Sequence, residues 1–356
     1  SGQTGTSGTN WSSSGTNPFV ITSSGRADIH PSVIANKLNA GVDVTVIQTS
    51  NSIVVSSAIS STLGLLKFQS AYDLFLRANI SAGSIIGIAK RNIVNESYDI
   101  ELRTHIPDSI NGQIILTSYD PDGTTAPHLY DSDLIIITNG GNVTLGGGNV
   151  NGTGFAKGNN WSGIEFGGVI DIQTNGGAIN IRGTSTNNVG LNFSSSINLE
   201  SDGGSIVLKG HSVNNSGIDF GANTLNVDSG SGTIDIEGIS SSSVTNRAAI
   251  NSNNSSNSII SASTQSTAIN IVGDNSEGLS RGVDCATAAS IVATGEGGGI
   301  DIFGANGSSQ VWAVNLGRTS ETKILAKSGT ISITAAPSSG GNGGYLYLDN
   351  EVIGSS

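Results

Sequence analysis

The sequence predicts an all-β fold: a single-stranded right-handed parallel β-helix, or β-solenoid, with about three short strands per ~30-residue coil. Three observations predict it. An element Gly-Gly-x-h-x-h-x-Gly, with h aliphatic, returns as "GGAINIRG" at 176–183, "GGSIVLKG" at 203–210, "SGTIDIEG" at 231–238 and "GGGIDIFG" at 297–304. A second element, "GIEF" 163–166, "GLNF" 190–193, "GIDF" 217–220, "AINS" 249–252, "GVDC" 282–285 and "AVNL" 313–316, recurs at steps of 27, 27, 32, 33 and 31 residues. A third run, such as "VIDIQT" 169–174, "SINLES" 196–201 and "TLNVDS" 224–229, follows it in each period. No such strand is long enough to stand alone. Stacked at strand spacing, ~4.8 Å, each pairs its backbone with the coils above and below.

Composition agrees. Charged residues make up 12% of the 356, about half the usual share, so surface polarity falls to Ser, Thr and Asn. Those side chains compete with helical hydrogen bonds and suit strands and turns. The net charge of −12 argues against a phosphate-neutralising surface and hence against nucleic acid. No apolar run approaches the ~18 residues of a membrane helix, so membrane insertion is not expected. A single cysteine excludes an internal disulfide.

In chain order, residues 1–26 read as a Gly/Ser/Thr-rich extension that buries little, apart from a short strand at Phe19-Val20-Ile21. Residues 27–139 read as an N-terminal cap helix followed by less regular coils. The helix is "HPSVIANKLNAG", 30–41, with Pro31 at its first turn and Gly41 as its stop. Strand-like runs follow at 42–49, 52–59, 65–70, 73–80, 84–90, 98–104, 112–118 and 133–139. The stretch "YDPDGTTAPHLYDS", 119–132, reads as a loop insertion. Residues 140–356 read as regular coils. Alternation turns Ile179, Ile181, Ile206, Leu208, Ile234, Ile236, Ile300 and Ile302 inward. Each contributes ~1.5–3 kcal/mol on burial, so Ile236→Asp is expected to disrupt a coil and Asp235→Ser to be nearly silent. Cys285 aligns with Phe166, Phe193 and Phe220 and joins the core.

The glycine-punctuated coils, with "GNVTL", "PSVIANKLNAGVDVTV" and "SIVVSSAIS", resemble the repeat regions of filamentous haemagglutinin-like exoproteins, large bacterial surface proteins and adhesins. The resemblance covers roughly residues 27–350. It implies a secreted or surface-attached β-helical rod, stalk or fibre, and it transfers no catalytic residue.

Candidate chemistry is sparse. The polar position of the second element gives Glu165, Asn192, Asp219, Asn251, Asp284 and Asn315 on successive coils, a column that could take a cation or a glycan but reads as a solvated face. Asp235 and Asp301, two coils apart, are the pair a polysaccharide lyase or hydrolase would need, yet no basic or aromatic residue accompanies them. Asp120, Asp122 and Asp131, with Asp133 and His128, bracket the inserted loop and are the candidate metal ligands, although their spacing fits no EF-hand. No catalytic residue and no cofactor is expected. Solenoid ends expose strand edges and core side chains. The chain is therefore expected either to continue in a longer rod or to associate end to end, with Phe19, Val20, Ile21, Leu346 and Leu348 as the contributing residues. A host-cell or glycan ligand is the further partner considered.

Overall fold

The computed structural model describes residues 7–8, 11–25, 27–95, 97–106, 112–118, 127–148, 153–221, 224–244, 247–252, 256–285, 289–307, 312–317, 321–337, 345–348 and 351–354. Among them the strands form three sheets, of fifteen, eleven and eleven strands, and the one helix is Pro31–Asn39. The chain visits the three sheets in turn. Ile179–Ser185, Leu191–Phe193 and Ile197–Glu200 make one coil. Ile206–Ser212, Ile218–Asp219 and Thr224–Asp228 pair with them in parallel as the next. This is a parallel β-helix.

The register explains the aliphatic repeats. Ile179 pairs with Ile206, Ile206 with Ile234, Ile234 with Ile269 and Ile269 with Ile300. Ile179, Ile181, Ile206, Leu208, Ile234, Ile236, Ile300 and Ile302 are all buried in one continuous core. Down the second sheet the rings of Tyr130, Phe166, Phe193 and Phe220 stack with centroids 5.4, 4.9 and 5.2 Å apart. Offset stacking of this kind adds roughly 0.5–1.5 kcal/mol per pair beyond burial.

Close approach explains the glycines. A Cβ on Gly177 would lie 2.1 Å from the carbonyl oxygen of Gly141, and one on Gly204 would lie 2.0 Å from that of Gly177. At these corners before the first sheet the backbones stack too closely for a Cβ, whereas the coil of Ile269 carries Thr267 at the same place. The hydroxyls of Thr174, Ser201 and Ser229 turn inward at the same corners and donate to the carbonyls of Gly177, Gly204 and Gly232.

The N-terminal half holds the same three sheets. Coils begin at Val44, with shorter steps: Val44 pairs with Leu66 and Leu66 with Ile85. The runs read as single strands at 52–59 and 73–80 are each two strands on adjacent faces, Ile53–Val55 with Ile59–Ser60 and Leu74–Leu76 with Ile80–Ala82. Alternation continues through the corner, so the sequence pattern hides the bend. The helix begins with Pro31, and His30 Nδ1 accepts the Ser32 N–H at its cap.

The first 26 residues bury more than their composition suggests. Trp11–Ser14 runs antiparallel to Phe19–Ser23, which in turn lies parallel to Val44–Gln48. Trp11, Phe19 and Ile21 are buried. Both edges of the Phe19–Ser23 strand are thus occupied within this chain, so in this conformation it is not available to a neighbour. Of the loop insertion expected at 119–132, residues 119–126 lie outside the described residues, and His128–Tyr130 is a strand between Ile93–Val94 and Ile164–Phe166.

Candidate functional site

The polar column of the second sheet is built by alternation. Ile164, Leu191, Ile218, Ile250, Val283 and Val314 point into the core, so their successors point out. Glu165 pairs with Asn192, Asn192 with Asp219, Asp219 with Asn251, Asn251 with Asp284, and Asp284 with Asn315. The column is real, but it is not the solvated face that the sequence suggests. Glu165, Asn192, Asp219 and Asn251 are half-buried, and Asp284 and Asn315 are buried outright.

Its carboxylates are satisfied from within. Asn251 Nδ2 donates to Asp219 Oδ1 at 3.0 Å, and Asn315 Nδ2 to Asp284 Oδ1 at 2.5 Å. Arg281 pairs with the other oxygen of Asp284 while its guanidinium lies 5.2 Å from the Trp312 ring centroid. Burial raises the Asp219 carboxyl above its ordinary range, and the Asn251 hydrogen bond and the Arg247 charge oppose that rise.

The same device appears on the other walls. Asn270 Nδ2 donates to Asp235 Oδ1 at 2.9 Å on the first sheet, and Asn198 Nδ2 to Asp171 Oδ1 at 2.9 Å on the third. In all four cases an Asn one coil later donates to the Asp before it. An amide carries the donors that a carboxylate lacks, so the Asp–Asn alternation is a set of cross-coil hydrogen bonds.

The remaining candidates separate. Asp301 pairs in register with Asn270, which stands between it and Asp235. Asp235 also lies 3.4 Å from Lys209, which bridges to Glu237 at 2.7 Å. Asp120 and Asp122 lie outside the described residues. Asp131 is exposed, and Asp133 accepts the Val169 N–H at 2.7 Å as a corner cap. His128, expected beside them in a loop, is fully buried and shares a 3.0 Å hydrogen bond with the Tyr130 hydroxyl. Burial drives its pKa down to about 3, so it is held neutral. Among the described residues no group of three or more His, Cys, Asp or Glu side chains is placed to hold a metal ion.

Cys285 sits in the core with its thiol pushed up to about 12, first by burial and then by the Asp284 charge, which disfavours a nucleophilic thiolate. Leu346 is 42% exposed and lies in the terminal strand of the second sheet, Tyr345–Leu348, which also contains Leu348. No helix among the described residues is long and apolar enough to cross a membrane.

Sequence reasoning missed a second feature. The doublet Asn-Asn recurs at 159–160, 187–188 and 214–215, at the corner between the first and second sheets, and Trp161 beside the first doublet is 59% exposed. The doublet falls between the strand motifs, in segments that read only as spacers. No family model, curated protein or solved structure matches the chain.

Proposed function

We propose that this chain is a non-enzymatic structural β-solenoid of an extracellular or cell-surface protein, a rod, stalk or filament building block of the kind found in filamentous haemagglutinin-like exoproteins. One observation carries the reading: four outward carboxylates, those of Asp171, Asp219, Asp235 and Asp284, each accept from an Asn on the next coil, and together they span all three walls. Side chains used to tie coil to coil serve length. They are not left free for acid–base chemistry, which needs a carboxylate within reach of a substrate proton.

The two ends differ in a way that bears on assembly. The hairpin Trp11–Ser14/Phe19–Ser23 and the helix Pro31–Asn39 cover the N-terminal coil. At the other end Ile331–Pro337, Tyr345–Leu348 and Glu351–Gly354 are, among the described residues, the last strands of the three sheets. Ile331 and Ile333 there are only partly buried, so this face suits a further coil, whether from a longer chain or from a second copy.

Electron microscopy and small-angle scattering of the purified chain test the reading. Eleven coils at ~4.8 Å predict a solenoid about 50 Å long. Longer filaments at high concentration are the result expected if copies stack. A compact particle without the rod dimension, or hydrolytic activity on acidic polysaccharides that Asp301→Asn abolishes, would sink the proposal.

A further inference from the structure

We infer that the corner between the first and second sheets is a binding platform for a neutral, hydroxyl-rich glycan, with Trp161 as its stacking surface and the amides of Asn159, Asn160, Asn187 and Asn214 as its polar edge. This goes beyond the structural reading, since a rod without the platform is still a rod.

The three corners read "GNNWSG" at 158–163, "STNNVG" at 185–190 and "SVNNSG" at 212–217. They stack: the Asn187 backbone N–H donates to Asn159 O at 2.8 Å and that of Asn214 to Thr186 O at 2.9 Å. Within the later doublets the two amides have different duties. Asn188 and Asn215 serve the fold, each accepting the next backbone N–H, of Val189 and Ser216, at 2.9 and 2.8 Å. Asn187 and Asn214 face solvent and form a ladder. Asn214 Nδ2 donates to Asn187 Oδ1 at 2.9 Å, and Asn187 Nδ2 donates to Asn159 Oδ1 and Asn160 Oδ1, both at 3.1 Å.

The ladder holds its planar amides in fixed orientations before any ligand arrives, which lowers the ordering cost of binding. Asn159 and Asn160 are exposed and immediately precede Trp161 in the chain; their oxygens are taken by Asn187, which leaves their amino groups to a ligand, and Asn214, whose amino group is used by Asn187, has its oxygen to offer at the far end. Donors at one end and an acceptor at the other, beside an exposed aromatic face, are what a chain of sugar rings presents partners for: hydroxyls at its edges and C–H groups on its faces.

The charge pattern selects within the glycans. None of the eighteen residues in these three corners is charged. A sulfate or carboxylate would lose its hydration there with no cation among these residues to receive it; the one flanking cation is Lys157, just before the first corner. In the following coil the doublet is absent and Arg247 enters the connecting segment, so the platform spans three coils.

The experiment screens the purified chain against linear cello-, malto- and chito-hexaose and against heparin, followed by isothermal titration calorimetry of wild type, Trp161→Ala, Trp161→Phe and Asn187→Ala. The expected result is binding of at least one neutral hexaose, weakened about tenfold by Trp161→Ala and less by Trp161→Phe, with the melting temperature unchanged. Weaker binding by Asn187→Ala supports the polar edge. Absence of neutral binding, binding of heparin alone, or equal binding by Trp161→Ala and wild type overturns the inference.

Discussion

Two stretches of the second sheet share a backbone plan and differ in what they bury. From Tyr130 to Phe220 the inward position is aromatic on four successive coils, and the rings stack without a break. On the next two coils the same position holds Ser252 and Cys285, and an apolar void of about 20 Å³ opens between Phe220, Ile250 and Cys285. Asn257, which occupies the inward place of Leu225 on the neighbouring sheet, is buried there, and its amide donates to the Ser252 hydroxyl. The comparison shows that the strand register persists where the inward packing at one position changes. Packing quality can change from one coil to the next, because each inward side chain meets mainly the residues one step above and below.

The largest expected effect tests the aromatic stretch. Phe193 has a ring partner on both sides, so Phe193→Ala should cost about 3–5 kcal/mol. Cys285→Ala removes one sulfur beside an existing void and should cost clearly less. Chemical denaturation of both variants checks this, and equal losses would break the comparison.

A second prediction concerns the polar end of the stack. The unfolded chain protonates His128 near 6.5, the folded chain only near 3. Between those values the unfolded state holds the extra proton. His128 therefore contributes stability above pH 6.5 that is lost as pH falls, by about 1.4 kcal/mol per pH unit. Unfolding curves from pH 7 to pH 4 should lose stability more steeply in the wild type than in His128→Leu, the difference being the contribution of His128.

The hydrogen-bonded column grades in the same way. Asn315 is buried against a buried Asp284, whereas Asn251 and Asp219 are half-buried. Asn315→Ala should cost about 1–3 kcal/mol and Asn251→Ala nearer 1 kcal/mol; a reversed order in thermal melts would show that burial does not set the worth of these bonds. Asp235→Ser, nearly silent on the sequence reading, should cost about 0.5–1 kcal/mol, because Asp235 accepts from Asn270. The smallest effect is a gain: Cys285→Val, adding a little volume beside the void, should stabilise by at most about 1 kcal/mol, read as a slight rise in melting temperature.

Much of this architecture is legible in the chain. The alternation of "INIRG", "IVLKG" and "IDIEG" identifies which side chains face inward, and the near-constant period of the second element places Glu165 to Asn315 in one line. The misread positions have a common cause. His128 and Tyr130 were hidden in a Pro- and Asp-rich stretch whose strand is three residues long. Trp11 was hidden by Gly and Ser neighbours, and its burial comes from pairing with Phe19–Ser23. The Asn-Asn doublets lie where no hydrophobic period operates, so their stacking is visible only once the register is known.

The sequence by itself determined the repeat, the three walls and the inward set, because a period of two residues and the demand for glycine at stacked corners are local properties of the chain. Only the tertiary structure decided which outward residues are covered. Asp284 and Asp219 occupy the same position one pairing step either side of Asn251, yet the first is buried with Arg281 over Trp312 and the second is half-buried. Burial of an outward side chain depends on the corner segments and coils folded against it, and those contacts join residues about thirty positions apart.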